Sequence, residues 1–191
     1  MSATHDEGYA ARDEVQLTLD AMLIYEDLST GMRAKRVLEH AARQFPMAPN
    51  FNLAIWRFDV LREPRWRNMA LNEASAAVIG VVSAHGQQDL PKVAKGWLKQ
   101  WLKRKGDESR ALIVSFDDAS RDNASAAQTI SWLQNEARAR DVAVFPHFGD
   151  TPRWKGGVAM DGGEKSAAAK TAVLADIRRW TERHSDWGIN E

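Results

Sequence analysis

The chain is expected to fold as a three-layer α/β/α sandwich around a five-stranded parallel sheet in the order 2-1-3-4-5. Three observations predict this. Five short apolar runs are spaced along the sequence: Ala21–Tyr25, Leu53–Phe58, Ala77–Val82, Ala111–Phe116 and Val142–Phe145. Each run ends in a polar cluster, and each cluster leads into a stretch with helix-like spacing of apolar residues. Strands that alternate with helices pair in parallel, and such sheets carry their working residues beyond the carboxyl ends of the strands. Those ends hold Glu26 and Asp27, Asp59, Ser83 and His85, Ser115, Asp117 and Asp118, and His147.

The elements follow in order. Residues 1–18 read as a polar arm. The first strand, Met22–Tyr25, runs into Glu26-Asp27-Leu28-Ser29-Thr30-Gly31, where Ser29 or Thr30 is expected to cap the first helix. Met32, Val37, Leu38, Ala41, Ala42 and Phe45 mark the inner face of that helix, and Pro46 and Pro49 end it. The second strand, Asn52–Asp59, precedes a helix from about Pro64 to Ala74, with its proline in the tolerant first turn. The third strand, Ala76–Val82, is almost continuously apolar, as befits a central strand covered on both faces.

Pro91 opens a helix to about Lys105, which Gly106 terminates. Val93, Ala94, Trp97, Leu98, Trp101 and Leu102 lie opposite Lys92, Lys95, Lys99 and Lys103, a clear amphipathic pattern. Strand four, Ala111–Phe116, leads through a polar loop to a helix from Ser125 to Arg140. Strand five, Val142–Phe145, is closed by Pro146-His147-Phe148-Gly149. Residues 150–165 read as a glycine-rich loop, and 166–184 as a final helix with Ala169, Val173, Ile177 and Trp180 on one side. Residues 185–191 form a short tail, so 19–184 count as one domain.

Bulk properties narrow the function. A length of 191 residues supports one domain with a substantial core. The 26 basic and 26 acidic side chains cancel, so no global field draws the chain to nucleic acid or an anionic membrane. Cysteine is absent, which excludes disulfides, thiolate nucleophiles and Cys-based metal centres. Neither a secretory signal nor a membrane-length apolar run is present, so a soluble, cytoplasmic protein is expected. Of the eight tryptophans, Trp97 and Trp101 are four residues apart and share a helix face with Leu98 and Leu102. That face is expected to be core rather than a surface for a partner.

The succession of βα units resembles the flavodoxin-like arrangement and, within it, response-regulator receiver domains. The resemblance rests on the acidic pair in Tyr25-Glu26-Asp27 and on Ser115, and spans residues 20–184. It implies that the acidic pair helps to hold a magnesium ion and that Ser115 stands where the family has its switch Ser or Thr. Two departures matter more. Ser83, Ala84 and His85 occupy the place of the phospho-accepting Asp, and Pro146 and His147 occupy the place of the Lys after strand five. A receiver-like chain without that Asp lacks the usual acyl-phosphate chemistry. The leading expectation is therefore a non-enzymatic regulatory or protein-interaction module in bacterial signalling. Its partner would be another protein or a second copy of the chain, with neither membrane nor nucleic acid favoured.

Two other classes compete. A metal-dependent hydrolase or phosphotransfer enzyme would use Glu26, Asp27 and Asp117 as oxygen ligands for Mg²⁺. In it His85 would be the base, and Ser83, two residues earlier on the same strand face, a nucleophile. Ser115 and His147 complete the catalytic candidates, and no cofactor other than Mg²⁺ is expected. The plain alternative is that a Ser and a His at a strand end hydrogen-bond the loop backbone. A nucleic-acid accessory protein would use the lysine row from Lys92 to Lys105, but no aromatic platform interleaves with it. Gly157–Ser166 lacks the buried strand and the Lys placement of a phosphate-binding loop.

Overall fold

The computed structural model describes residues 18–43, 49–104, 110–140 and 142–149. Its strands are β1 (Thr18–Tyr25), β2 (Asn50–Arg57), β3 (Ile79–Ser83), β4 (Arg110–Phe116) and β5 (Val142–Phe148). Its helices are α1 (Leu28–Ala42), α2 (Pro64–Glu73), α3 (Lys92–Lys103) and α4 (Ala124–Arg138). The sheet order is β2-β1-β3-β4-β5 and every pair is parallel. This is the doubly wound, flavodoxin-like order, and it matches the expectation from sequence.

Alternation along the strands sorts the core into two layers. On one face, Leu19, Ala21 and Leu23 of β1, Ile79 and Val81 of β3 and Ile113 of β4 meet Ala34, Val37 and Leu38 of α1. On the other, Met22, Ile24, Val82, Leu112 and Val114 meet α2, α3 and α4, including Ala70, Leu98 and Leu133. Trp97 and Trp101 are fully buried there, as their spacing predicts. Gly80 makes room for Trp101: a Cβ at that position would come within 2.6 Å of the Met22 side chain and 3.2 Å of the Trp101 ring.

Several boundaries differ from the sequence reading, each for a physical reason. Strand β5 continues through Pro146 to Phe148 rather than closing at Phe145. It is an edge strand, where a residue without an N–H leaves no ladder bond broken on its open side. His147 therefore lies within the sheet and not in the loop beyond it. Helix α1 is capped by Asp27, not by Ser29 or Thr30. Asp27 Oδ1 accepts from the Thr30 amide at 3.0 Å and Thr30 Oγ1 accepts from the Asp27 amide at 2.9 Å, a reciprocal box. Met32, expected to face the core, is 49% exposed, while its neighbour Arg33 is buried.

The strands end level with one another. Arg57, Tyr25, Ser83, Ser115 and His147 stand in one register row across all five strands. The polar arm before Thr18, the glycine-rich loop, the final helix and the tail lie outside the described residues. Among the described residues no helix is long and apolar enough to cross a membrane.

Candidate functional site

The turn after β3 brings His85 over the carboxyl end of the sheet. Its main chain is fixed from several directions. The Ala84 amide donates to the Ser115 carbonyl at 3.0 Å, and the His85 amide donates to Glu26 Oε2 at 2.9 Å. The Ser120 hydroxyl donates to the His85 carbonyl at 2.7 Å. Gly86 then turns the chain at a φ of +83°, a conformation that suits glycine, with its Cα side against the Phe116 ring.

The ring is equally constrained. His85 Nδ1 lies 2.8 Å from Asp117 Oδ2, and Nε2 lies 3.0 Å from Asp27 Oδ2. The three residues come from three different strand ends. Arg33, on the second turn of α1, completes the group. Its guanidinium hydrogen-bonds Asp117 Oδ1, donates to the Ala84 carbonyl at 2.7 Å and donates through Nε to Ser83 Oγ at 3.3 Å. Arg33 is nearly fully buried, whereas the His85 side chain keeps 37% of its surface in solvent.

These contacts shift the titrations in a consistent sense. Hydrogen bonds to Asp27 and then to Asp117 raise the pKa of His85, and they outweigh the burial that opposes its charge. The Thr30 amide, followed by His85, holds the Asp27 carboxyl well below the usual carboxylate range. Burial pushes Asp117 upward, but hydrogen bonds from His85 and Arg33 prevail and its pKa is lowered. With His85 protonated, the site is a chain of alternating charge: Asp27, His85, Asp117, Arg33.

The other candidates fall in different places. Ser83 is fully buried, and its hydroxyl accepts from Arg33 while the His85 ring faces the two aspartates. Ser115 and His147 meet each other, with Oγ 3.1 Å from Nδ1, as a buried pair on neighbouring strands. Asp59 is exposed at the end of β2 and pairs with Arg57 through contacts of 2.6 and 2.7 Å. Asp118 pairs with Arg121 at 2.8 Å on the surface. In the lysine row, Lys95 pairs with Asp89 at 2.6 Å and Lys99 with Glu136 at 2.9 Å.

The receiver resemblance implies Mg²⁺ at Glu26 and Asp27, the metal-dependent enzyme reading adds Asp117, and the donor set can be tested against both. A hard cation of this kind requires a near-octahedral shell of oxygens. Here the facing oxygens of Asp27 and Asp117 are bridged by an imidazole, Asp117 also holds a guanidinium, and Glu26 accepts a main-chain amide. The arrangement does not fit Mg²⁺. Among the described residues no group of three or more His, Cys, Asp or Glu is placed to hold a metal ion.

No family model and no curated protein matches the chain. Among solved structures it is similar to a Streptococcus pneumonia TIGR4 flavodoxin, with 10% sequence identity and a TM-score of 0.40. That similarity covers 84% of this chain and 98% of the flavodoxin.

Arg33 is the member of the site that sequence reasoning missed. A faint signal existed. Position 33 falls on the same helix face as Ala34, Val37 and Leu38, so a helix buried on that side must bury the arginine too. What the arginine meets there is set by the sheet order, not by its neighbours in sequence.

Proposed function

We propose that the chain is a receiver-like regulatory module that acts by contacting a protein partner and catalyses no reaction at its strand ends. One observation carries this reading: the carboxylates that a receiver would turn toward an ion are neutralised by the chain's own His85 and Arg33. The remaining chemistry points the same way. Both ring nitrogens of His85 are engaged, which leaves no lone pair directed at a substrate. Ser83 is buried beneath Arg33, so no substrate atom reaches its hydroxyl. A site tied up in this manner serves to hold a surface in one shape.

Calorimetric titration of the full chain with Mg²⁺ and Mn²⁺ tests the proposal. The wild type is expected to show no saturable binding into the millimolar range. Saturable binding that disappears in Asp27→Asn would overturn it and favour an ion-dependent enzyme.

A further inference from the structure

The position of His85 has a consequence that goes beyond partner binding and holds whatever the partner is. A neutral imidazole carries one N–H, so it can donate to only one of two flanking carboxylates. The other ring nitrogen then presents its lone pair to an oxygen that also carries lone pairs. Only the imidazolium donates to both. The main chain of Ala84 and His85 is held by Ser115, Glu26, Ser120 and Arg33, so the loop cannot shift to relieve the mismatch without breaking those bonds.

We infer that His85 is a proton-operated clamp that ties the start of α1 to the end of β4 when protonated and releases Asp27 when neutral. Asp27 is the partner released because Asp117 has a second cation. Arg33 keeps Asp117 in place and the shorter contact, 2.8 Å, is on that side. Asp27 is the more exposed of the two, at 50% against 28%, and meets the ring through Oδ2 alone, its Oδ1 accepting from Ser29 and Thr30. The groups around the ring favour the closed form. Asp27 faces it from the β1–α1 turn and Asp117 from the end of β4, Glu26 accepts the main-chain amide of His85, and Arg33 of α1 stands behind Asp117. Asp118 is exposed in the following turn and is paired with Arg121. Two carboxylates thus flank the ring, and the one guanidinium reaches it only through Asp117. The raised pKa of His85 agrees with that balance.

The released residue is the cap of α1, and the next residue, Leu28, is 77% exposed. With Met32 one turn along, it forms an apolar step on the outer side of the helix. Opening the clamp takes away the tertiary anchor of the cap residue while Oδ1 keeps the Thr30 amide, so proton release loosens the end of the helix that carries this step.

The test is an NMR pH titration of the full-length chain, following the His85 ring together with amide exchange in the first turn of α1. The expected result has two parts: a His85 midpoint above the ordinary value of about 6.5, and faster exchange at Ser29, Thr30 and Gly31 on its alkaline side. Asp27→Asn retains a good capping residue, so it folds as the wild type does. In it the His85 midpoint should fall and the pH dependence of the first turn should flatten. A His85 midpoint at or below the ordinary value would overturn the clamp. So would first-turn exchange that, after correction for intrinsic rates, is the same on both sides of the midpoint or is unchanged by Asp27→Asn.

Discussion

Arg33 and Asp117 are 84 residues apart in sequence and form an ion pair at the carboxyl end of the sheet. The pair joins α1 to β4 across the top of β3. Arg33 is buried, so its charge depends on Asp117, on Ser83 and on the Ala84 carbonyl for compensation. Removing one partner of a buried pair leaves the other charge uncompensated, which is costlier than never having had the pair.

Arg33→Ala is therefore expected to lower stability by about 3 kcal/mol, read from urea unfolding. Arg33→Met with Asp117→Leu should recover part of that loss, because apolar side chains of similar volume have no charge to compensate. If the double variant is less stable than Arg33→Ala, the pair is not acting through charge burial.

The pH dependence of stability follows from the three shifted groups. The pKa of His85 is raised on folding, so its contribution is fully present below its unfolded value of about 6.5 and is lost as pH rises through the folded value. The Asp27 and Asp117 pKa values are lowered, so their contributions are present above about 4 and are lost as pH falls through the folded values. These groups together favour a maximum between about pH 4 and pH 6.5. Urea midpoints across the acid, neutral and alkaline ranges check this, and His85→Gln should remove the alkaline decline.

Gly86→Ala tests how the loop positions the ring. The added methyl meets a φ of +83° and the Phe116 ring at 2.8 Å. A loss of about 1–3 kcal/mol is expected, together with a shifted His85 ring resonance. A chain that is destabilised without any change at His85 would show that Gly86 serves the core and not the site.

Trp101 provides the corresponding test of the core. Its indole is fully buried and donates to the Ala74 carbonyl at 2.9 Å, and the Arg110 guanidinium lies 5.0 Å from its ring centre. Trp101→Ala should cost about 3–5 kcal/mol. Trp101→Phe should cost less, about 1–3 kcal/mol, chiefly from the carbonyl left without its donor. Chemical denaturation of both variants separates packing from the hydrogen bond.

Much of the fold was legible because its signals are local. The apolar run before Ser83 and the stripe containing Trp97 and Trp101 show themselves within a few residues. The site was half legible for the opposite reason. Asp27, His85 and Asp117 were identifiable as strand-end residues, but which of them would touch depended on the order in which the strands pair. His85 was paired in expectation with Ser83, two residues away, whereas its ring bonds lie 58 and 32 residues away. Arg33 was hidden by a charge on a buried helix face, where the hydrophobic pattern gives preference to Met32. The extension of β5 past Pro146 was obscured because a proline reads as a stop unless the strand is known to be at an edge.

The level ending of the strands stacks a polar layer directly on an apolar one. Tyr25, Ser83, Ser115 and His147 occupy a single rung, and the rung two residues below consists of Leu23, Val81, Ile113 and Phe145. A change on the upper rung rewrites polarity and proton affinity. Because Ser83, Ser115 and His147 are themselves buried and hydrogen-bonded, an exchange at this rim must also replace a lost partner, so the rim and the scaffold change together.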